Sequence, residues 1–535
     1  MAGSKSYNAS GENGAEEELN HMRNMRTAIP LVLLGVIAAL GPGCTSVVEE
    51  TQPRSIVDLV ADGDSALFSV PIERYQTLDD DLPIGVFDSG IGGLTVLNEI
   101  VTIDRFDNRT HEPGADGRPD FEDESFVYLG DQANMPYGNY PSEDKVDFLE
   151  ELIVKDTVFL LGNRYWLSRT AEAPRRDKPP VKAIVVACNT ATAYGLDDIH
   201  RALERWGVPV FTVGVVAAGA DGAIESLLET GPNGAVAVMA TVGTCASGGY
   251  PREIARASRE GGIDPPEVIQ QGSLGLAGAI EGSPEFVAAE DAAATATYRG
   301  PAVGNSTAPI EPELIGAYGF EPEGILGDLE QPETWRLNSI ENYIRYDTAT
   351  LVENHRKAGS TDPISTVILG CTHFPFHQAD IERSFHRLRE FRTVSGEAPY
   401  EHLIAEDIIF VDPARLTAVQ LYEALTEREL FDDDNPGGAT ADEFFISVPN
   451  ADCPGVVLRP DGLSFTYAYK YGRTPGELDL EYVKRVPMSR TNLGDAAVAT
   501  IRRTMPGVWT RLVAFSAYNP RCTDLPDEAR IRETD

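Results

Sequence analysis

Apolar residues in this chain gather into short runs rich in β-branched residues, most of them closed by a glycine, aspartate or cysteine. The runs are Ile84–Phe87, Phe126–Leu129, Ala183–Ala187, Val208–Val213, Ala235–Met239, Val268–Gln271, Thr366–Leu369 and Ile408–Val411. Most are apolar at successive rather than alternate positions, which predicts strands buried on both faces, as in a parallel sheet. Amphipathic stretches of helical period separate many of them, as in Ser142–Leu161 and Ala193–Trp206, and another, Ala414–Thr426, follows the last. Strands alternating with helices predict βαβ units and a doubly wound α/β class.

Four long segments interrupt the pattern: 103–124, 165–180, 283–362 and 428–485, all rich in Pro, Gly, Asp and Glu. Loops beyond about 15 residues are uncommon inside compact domains, so these read as insertions. No repeat of solenoid period is present.

The chain has 535 residues and a formal charge of −40, and only 8 of its 44 basic residues are lysine. Phosphate contacts need clustered Lys and Arg, so a nucleic-acid partner is excluded. The acidity reads as solubility in a salty or extracytoplasmic setting. Near the N-terminus, Met22–Arg26 supplies positive charge, Ala28–Leu40 an apolar stretch too short to span a membrane, and Gly41-Pro42-Gly43-Cys44 a small-residue cleavage zone. This layout predicts export with lipidation at Cys44, although Leu40 and Pro42 depart from a lipobox, and translation starting at Met22 or Met25. The competing reading is a tail with an incidental apolar patch on a cytoplasmic protein. The six cysteines, at 44, 188, 245, 371, 453 and 522, show no metal-ligand spacing, so no metal is expected. Cys453 and Cys522 could pair in an oxidising compartment or remain free thiols.

The chemistry concentrates at two matching strand ends, Ala183-Ile184-Val185-Val186-Ala187-Cys188-Asn189-Thr190 and Thr366-Val367-Ile368-Leu369-Gly370-Cys371-Thr372-His373. The carboxyl ends of parallel strands are where open α/β folds bind ligands. The first strand leads into Asp88-Ser89-Gly90-Ile91-Gly92-Gly93-Leu94, whose glycines permit a tight turn and whose helix could aim N–H groups at an anion. Dinucleotide and P-loop spacings are absent.

Together with Leu129-Gly130-Asp131, Met135-Pro136-Tyr137-Gly138, Val213-Gly214-Val215-Val216 and Thr241-Val242-Gly243-Thr244, these segments resemble the glutamate racemase branch of the aspartate/glutamate racemase superfamily. The likeness runs over 84–376 and reaches Phe410-Val411-Asp412-Pro413. It implies two pseudo-symmetric doubly wound parallel-sheet lobes with the active site between them. The implied activity is a cofactor-independent proton transfer at the α-carbon of an amino acid. Inverting that centre without an oxidised intermediate needs a base on one face and an acid on the other, and a tuned thiol suits both tasks. By family position Cys188 and Cys371 are the acid/base pair, with Asp88 assisting the first and His373 the second. Ser89, Pro136, Tyr137, Gly138, Asn189, Thr190, Thr244 and Thr372 correspond to residues that hold the substrate.

On the same basis the chain divides into a signal-like segment 1–44, a tether 45–81, lobe 1 at 82–213, lobe 2 at 214–402 with insertion 283–362, and a return to lobe 1 at 403–535 with insertion 428–485. Two departures stand out. Val268–Leu274 replaces a family segment containing Cys-Pro, leaving Glu281 as the closest stand-in for the glutamate that assists the second thiol, and Val242 replaces a common proline. Alternatives are an aspartate or other two-thiol racemase, and a non-catalytic exported amino-acid-binding or envelope protein on the same fold. Decarboxylases of the superfamily keep one thiol, which argues against them. The family's habit of pairing implies a homodimer, which the insertions could block. Glutamate racemases serve cytoplasmic peptidoglycan synthesis, so an exported one would need another role, such as making or scavenging D-amino acids.

Overall fold

The computed structural model describes residues 55–231, 234–287, 298–432 and 441–535. All described elements belong to one compact unit, 53–535. The export-signal and Cys44 lipidation readings lie outside the described residues. Among the described residues, no helix is long and apolar enough to cross a membrane.

Two sheets carry the structure. The first has six strands in the order β12-β11-β2-β1-β3-β4. Its strands are β1 (Ile84–Asp88), β2 (Phe126–Gly130), β3 (Ala183–Val186), β4 (Phe211–Gly214), β11 (Glu443–Pro449) and β12 (Val483–Pro487). All neighbours are parallel except β11 and β12. The second sheet, β10-β9-β5-β6, is wholly parallel and comprises β5 (Ala235–Thr241), β6 (Val268–Ser273), β9 (Ile364–Gly370) and β10 (Ile404–Val411). A two-stranded ribbon, β7 (Ile325–Leu326) with β8 (Arg336–Leu337), stands apart. The expected α/β class with two parallel-sheet lobes is the one observed.

The successive apolar positions of the strands explain the layering. In β3, Ile184 and Val186 join one core cluster and Ala183 and Val185 another, so both faces need helical cover. One face of the first sheet is covered by the helices Val146–Leu161 and Asn189–Trp206. Helices Leu94–Thr102, Pro413–Arg428 and Pro506–Tyr518 cover the other. The chain leaves the first sheet through helix Val215–Thr230 and the second through helix Pro413–Arg428, and these two crossing helices pack together.

Three boundaries differ from the sequence reading. Strand β10 pairs with β9, so lobe 2 runs to Val411 rather than ending at 402. The segment 428–485 is not a mere excursion, because β11 within it lies parallel to β2 and extends the first sheet. Its Asp442 accepts the Phe126 N–H and pairs with Arg511, which fixes the new strand's register. The segment 283–362 includes the helix Ile340–Lys357, which is integral to the second lobe's core. Cys453 and Cys522 are both buried free thiols. They belong to core clusters on opposite faces of the first sheet, so pairing is geometrically closed to them.

Candidate active site

The carboxyl ends of β1, β2, β3, β5 and β9 converge, and each delivers a polar group. Strand β1 ends in Asp88, fully buried, whose Oδ2 accepts the backbone N–H groups of Gly90 and Gly93, both at 3.0 Å. The turn therefore spends these two donors on its own carboxylate rather than on an external anion. Gly93 has to be glycine, since a Cβ there would overlap the Asp88 side chain. Among the described residues, Oδ1 of Asp88 has no hydrogen-bond partner. Burial raises the Asp88 pKa, partly offset by the His373 charge and the two N–H donors.

Beyond β3, Cys188 caps helix Asn189–Trp206, its Sγ accepting from the Ala191 N–H at 3.5 Å. Burial pushes this thiol's pKa up and the nearby Asp88 carboxylate pushes it further, against donors at Ala191 and Ser89. Cys188 thus rests protonated at neutral pH.

Beyond β9, Cys371 is buried to the same degree, 6% exposed in each case, but its neighbour is basic. His373 Nδ1 lies 3.7 Å from Cys371 Sγ, and Nε2 lies 2.8 Å from Glu281 Oε1. Burial would lower the imidazole's pKa, but Cys371 and Glu281 outweigh it and the net shift is well upward. His373 is therefore an imidazolium at neutral pH. Glu281 Oε2 in turn accepts from Gln132 Nε2 at 3.0 Å, so a hydrogen-bonded chain Gln132–Glu281–His373–Cys371 runs from the first lobe to the second thiol. Gly92 of the first lobe packs against the same turn, where a Cβ would sit 2.8 Å from His373 Cε1.

Cys188 and Cys371 line one cavity of about 300 Å³. Ser89, Asn189 and Thr190 line it from the first lobe, and Thr372 and His373 from the second. Pro136, Tyr137 and Gly138 complete the first lobe's wall, so all but two of the sequence-predicted site residues meet here. Asn189 Oδ1 accepts from Tyr250 at 2.6 Å, which orients its amide. Tyr137 points its hydroxyl inward, 2.6 Å from Asp131 Oδ2 and 2.7 Å from Asp156 Oδ2. Burial and the neighbouring Asp131 push Asp156 up to about 7, and the Arg485 guanidinium pulls it back toward the charged form. Arg485 of β12 braces Asp156 at 2.8 Å, and Arg473 holds Asn134 at 2.6 Å, so the segment 428–485 anchors the wall loop from behind.

The two residues that do not line the cavity are Asp88, which lies behind Cys188, and Thr244. The Thr244 hydroxyl is fully buried and bonds Thr190 and Thr241 at 3.0 Å each, so it positions the hydroxyls that do face the cavity. Thr241, Ala277 and Gly370 line the cavity and were not anticipated. Thr241 closes β5 and caps the next helix through its side chain, a Thr-x-x-Thr signal visible in the sequence. The departure at β6 is also accounted for. Ser273 and Gln271 donate to Asp347 of helix Ile340–Lys357 at 2.5 and 3.2 Å, and burial pushes this carboxyl up to about 7. Among the described residues, no cluster of His, Cys, Asp and Glu is placed to hold a metal ion.

A thiol from each of two parallel-sheet lobes faces one cavity. The chain is similar in sequence to glutamate racemases. That of Clostridium novyi is 22% identical over 348 residues, covering 65% of this chain and 85% of the relative. That of Levilactobacillus brevis is 33% identical over 176 residues, covering 33% of this chain and 48% of the relative. For Corynebacterium kroppenstedtii the figures are 37% over 173 residues, 32% and 44%. At these higher identities the chain spans about half the length of the relatives it matches. A glutamate racemase structure from Bacillus anthracis superposes with a TM-score of 0.39 at 22% identity, covering 68% of this chain and 87% of that one. No protein-family model matches.

Proposed function

We propose that the protein is a cofactor-independent amino-acid racemase that interconverts L- and D-glutamate. The observation that carries this is the pair of buried free thiols on one cavity, each with its own proton-handling neighbour. One sulfur takes the α-proton as the C–H bond breaks, and the thiol on the other face delivers a proton to the same carbon, with no net redox change. Hydroxyls of Ser89, Thr190 and Thr372 and the amide of Asn189 hold the substrate carboxylates and ammonium. His373, positively charged and shared between Cys371 and Glu281, moves the proton at the second thiol. Asp88 does so at the first.

The test is incubation of the full chain with L-glutamate, and separately L-aspartate, in deuterated water, with α-deuteration read by NMR. Exchange on glutamate that is lost in Cys188→Ala and in Cys371→Ala supports the reading. Exchange only on aspartate would assign the rival substrate, and none on any amino acid with both thiols reduced rejects a racemase. The N-terminal sequence supports a second part of the proposal, a protein lipid-anchored at Cys44 in the cell envelope. Palmitate labelling of Cys44 tests it, and a processed but unlabelled protein would reject it. Pairing as a homodimer follows from the resemblance and is checked by sedimentation.

A further inference from the structure

Among the described residues the catalytic cavity's lining includes no Lys or Arg, and the His373 imidazolium is its one cation, yet the proposed substrate carries two carboxylates. Further cations stand in a second, larger chamber of about 930 Å³ on the far side of the same wall loop, with Pro136 lining both. Segment 428–485 builds much of it. Its described lining carries Arg169, Arg459 and Lys470 against one carboxylate, Glu285. That balance reverses a chain with 84 acidic and 44 basic residues.

Two of the three cations are committed. Arg459 is paired with Glu285, and Arg169 donates to the carbonyls of Gly462 and Leu463. Lys470, on helix Tyr467–Gly472, reaches only the Met135 carbonyl, at 2.5 Å, and no described carboxylate pairs with it. Burial and the positive Arg473 and Arg459 push its pKa down to about 7, so an arriving anion would favour its charged form. Gln132 also lines the chamber, with a buried Oε1 that lacks a partner among the described residues, and its Nε2 starts the chain through Glu281 to His373 and Cys371.

Resting on the racemase reading, we infer that this chamber is the site's anteroom: Lys470 receives the carboxylate of an acidic amino acid there before it passes Pro136 to the thiols. A cation lining a cleft of an otherwise acidic protein raises the local concentration of an anionic substrate. The binding event is ionic and reversible, with no bond formed.

The test compares wild type, Lys470→Met and Lys470→Arg in the full chain. The expected result for Lys470→Met is a KM for L-glutamate raised about tenfold with kcat held within about twofold, and recovery in Lys470→Arg. Wild-type kcat/KM should also fall between about 20 and about 500 mM salt, with a slope that Lys470→Met flattens. An unchanged KM and slope overturns the inference. So does a KM rise equal at all salt concentrations and unrescued by Lys470→Arg, which would make Lys470 a prop for Met135. A readout free of turnover separates this from failure of the racemase reading. In a Cys188→Ala/Cys371→Ala double variant, acetylation of Lys470 followed by mass spectrometry should be slowed by L-glutamate while that of exposed Lys357 is not. Absence of protection overturns the anteroom whether or not the wild type racemises.

Discussion

The two thiols are equally buried, yet their surroundings are electrically opposite. Cys188 faces a buried carboxylate and holds its proton tightly. Cys371 faces an imidazolium locked by Glu281. At equal exposure the two halves differ in the charge beside the sulfur, so the two-lobed fold presents an asymmetric pair: one thiol beside a carboxylate and the other beside an imidazolium.

The strongest test of that asymmetry is exchange by Cys188→Ser and Cys371→Ser. Each should slow racemisation by about 10²–10⁴-fold, while residual α-deuteration survives on one enantiomer for one variant and on the other enantiomer for the second. Survival on the same enantiomer in both variants would break the two-face reading. Next in size, His373→Asn should cost about 10²-fold. Glu281→Gln should cost less but move the alkaline limb of kcat/KM to lower pH by about one unit, because the imidazolium loses its stabilising carboxylate. A profile in Glu281→Gln that matches wild type would show that His373 does not carry the titrating proton.

The third test is one of stability, measured behind each half. Asp156, behind the first lobe's wall loop, is paired with Arg485, whereas Asp347 in the second lobe has hydroxyl and amide donors and no cation among its hydrogen-bond partners. Asp156→Asn leaves a buried guanidinium unpaired and should cost about 3 kcal/mol by chemical denaturation. Asp347→Asn should cost under about 1 kcal/mol at pH 8, because it removes an unpaired buried charge. Equal costs would erase the contrast. The smallest effect is its pH dependence. Asp347's folded pKa, about 7, lies above its ordinary value of 3.8, so between these values the folded state keeps a proton that the unfolded chain has released. Its contribution to stability therefore falls as pH rises from about 4 to about 7. Thermal melts of Asp347→Asn should show a shallower decline over that window by about 2 °C.

Much of this arrangement was legible in the sequence because successive apolar positions leave little choice but buried parallel strands. Cys188, Cys371, Asp88 and His373 could be placed because the motifs at or just beyond such strand ends resemble those of the racemase family. What escaped depends on contacts far apart in the chain. Strand β11, Glu443-Phe444-Phe445-Ile446-Ser447-Val448-Pro449, lies inside a segment rich in Pro, Gly and acid, and its membership of the first sheet follows from pairing with β2. The link from Gln132 to Glu281 joins residues 149 apart, and no local pattern announces it. Arg485 and Lys470 read as ordinary surface cations until the fold sets them beside Asp156 and Met135.

The placement of β11 also governs the order in which the polypeptide can finish folding. The second sheet is contiguous in sequence from β5 to β10, whereas the outer edge of β2 must wait for a partner whose anchoring Asp442 is 316 residues downstream of Phe126. At roughly 5–20 residues per second of translation, that edge stays unpaired for about 15–60 s. An open, apolar strand edge of that lifetime is a template for mispairing with other nascent chains. The protein's dependence on chaperones during synthesis should therefore be set by its first lobe, even though that lobe is the first to emerge.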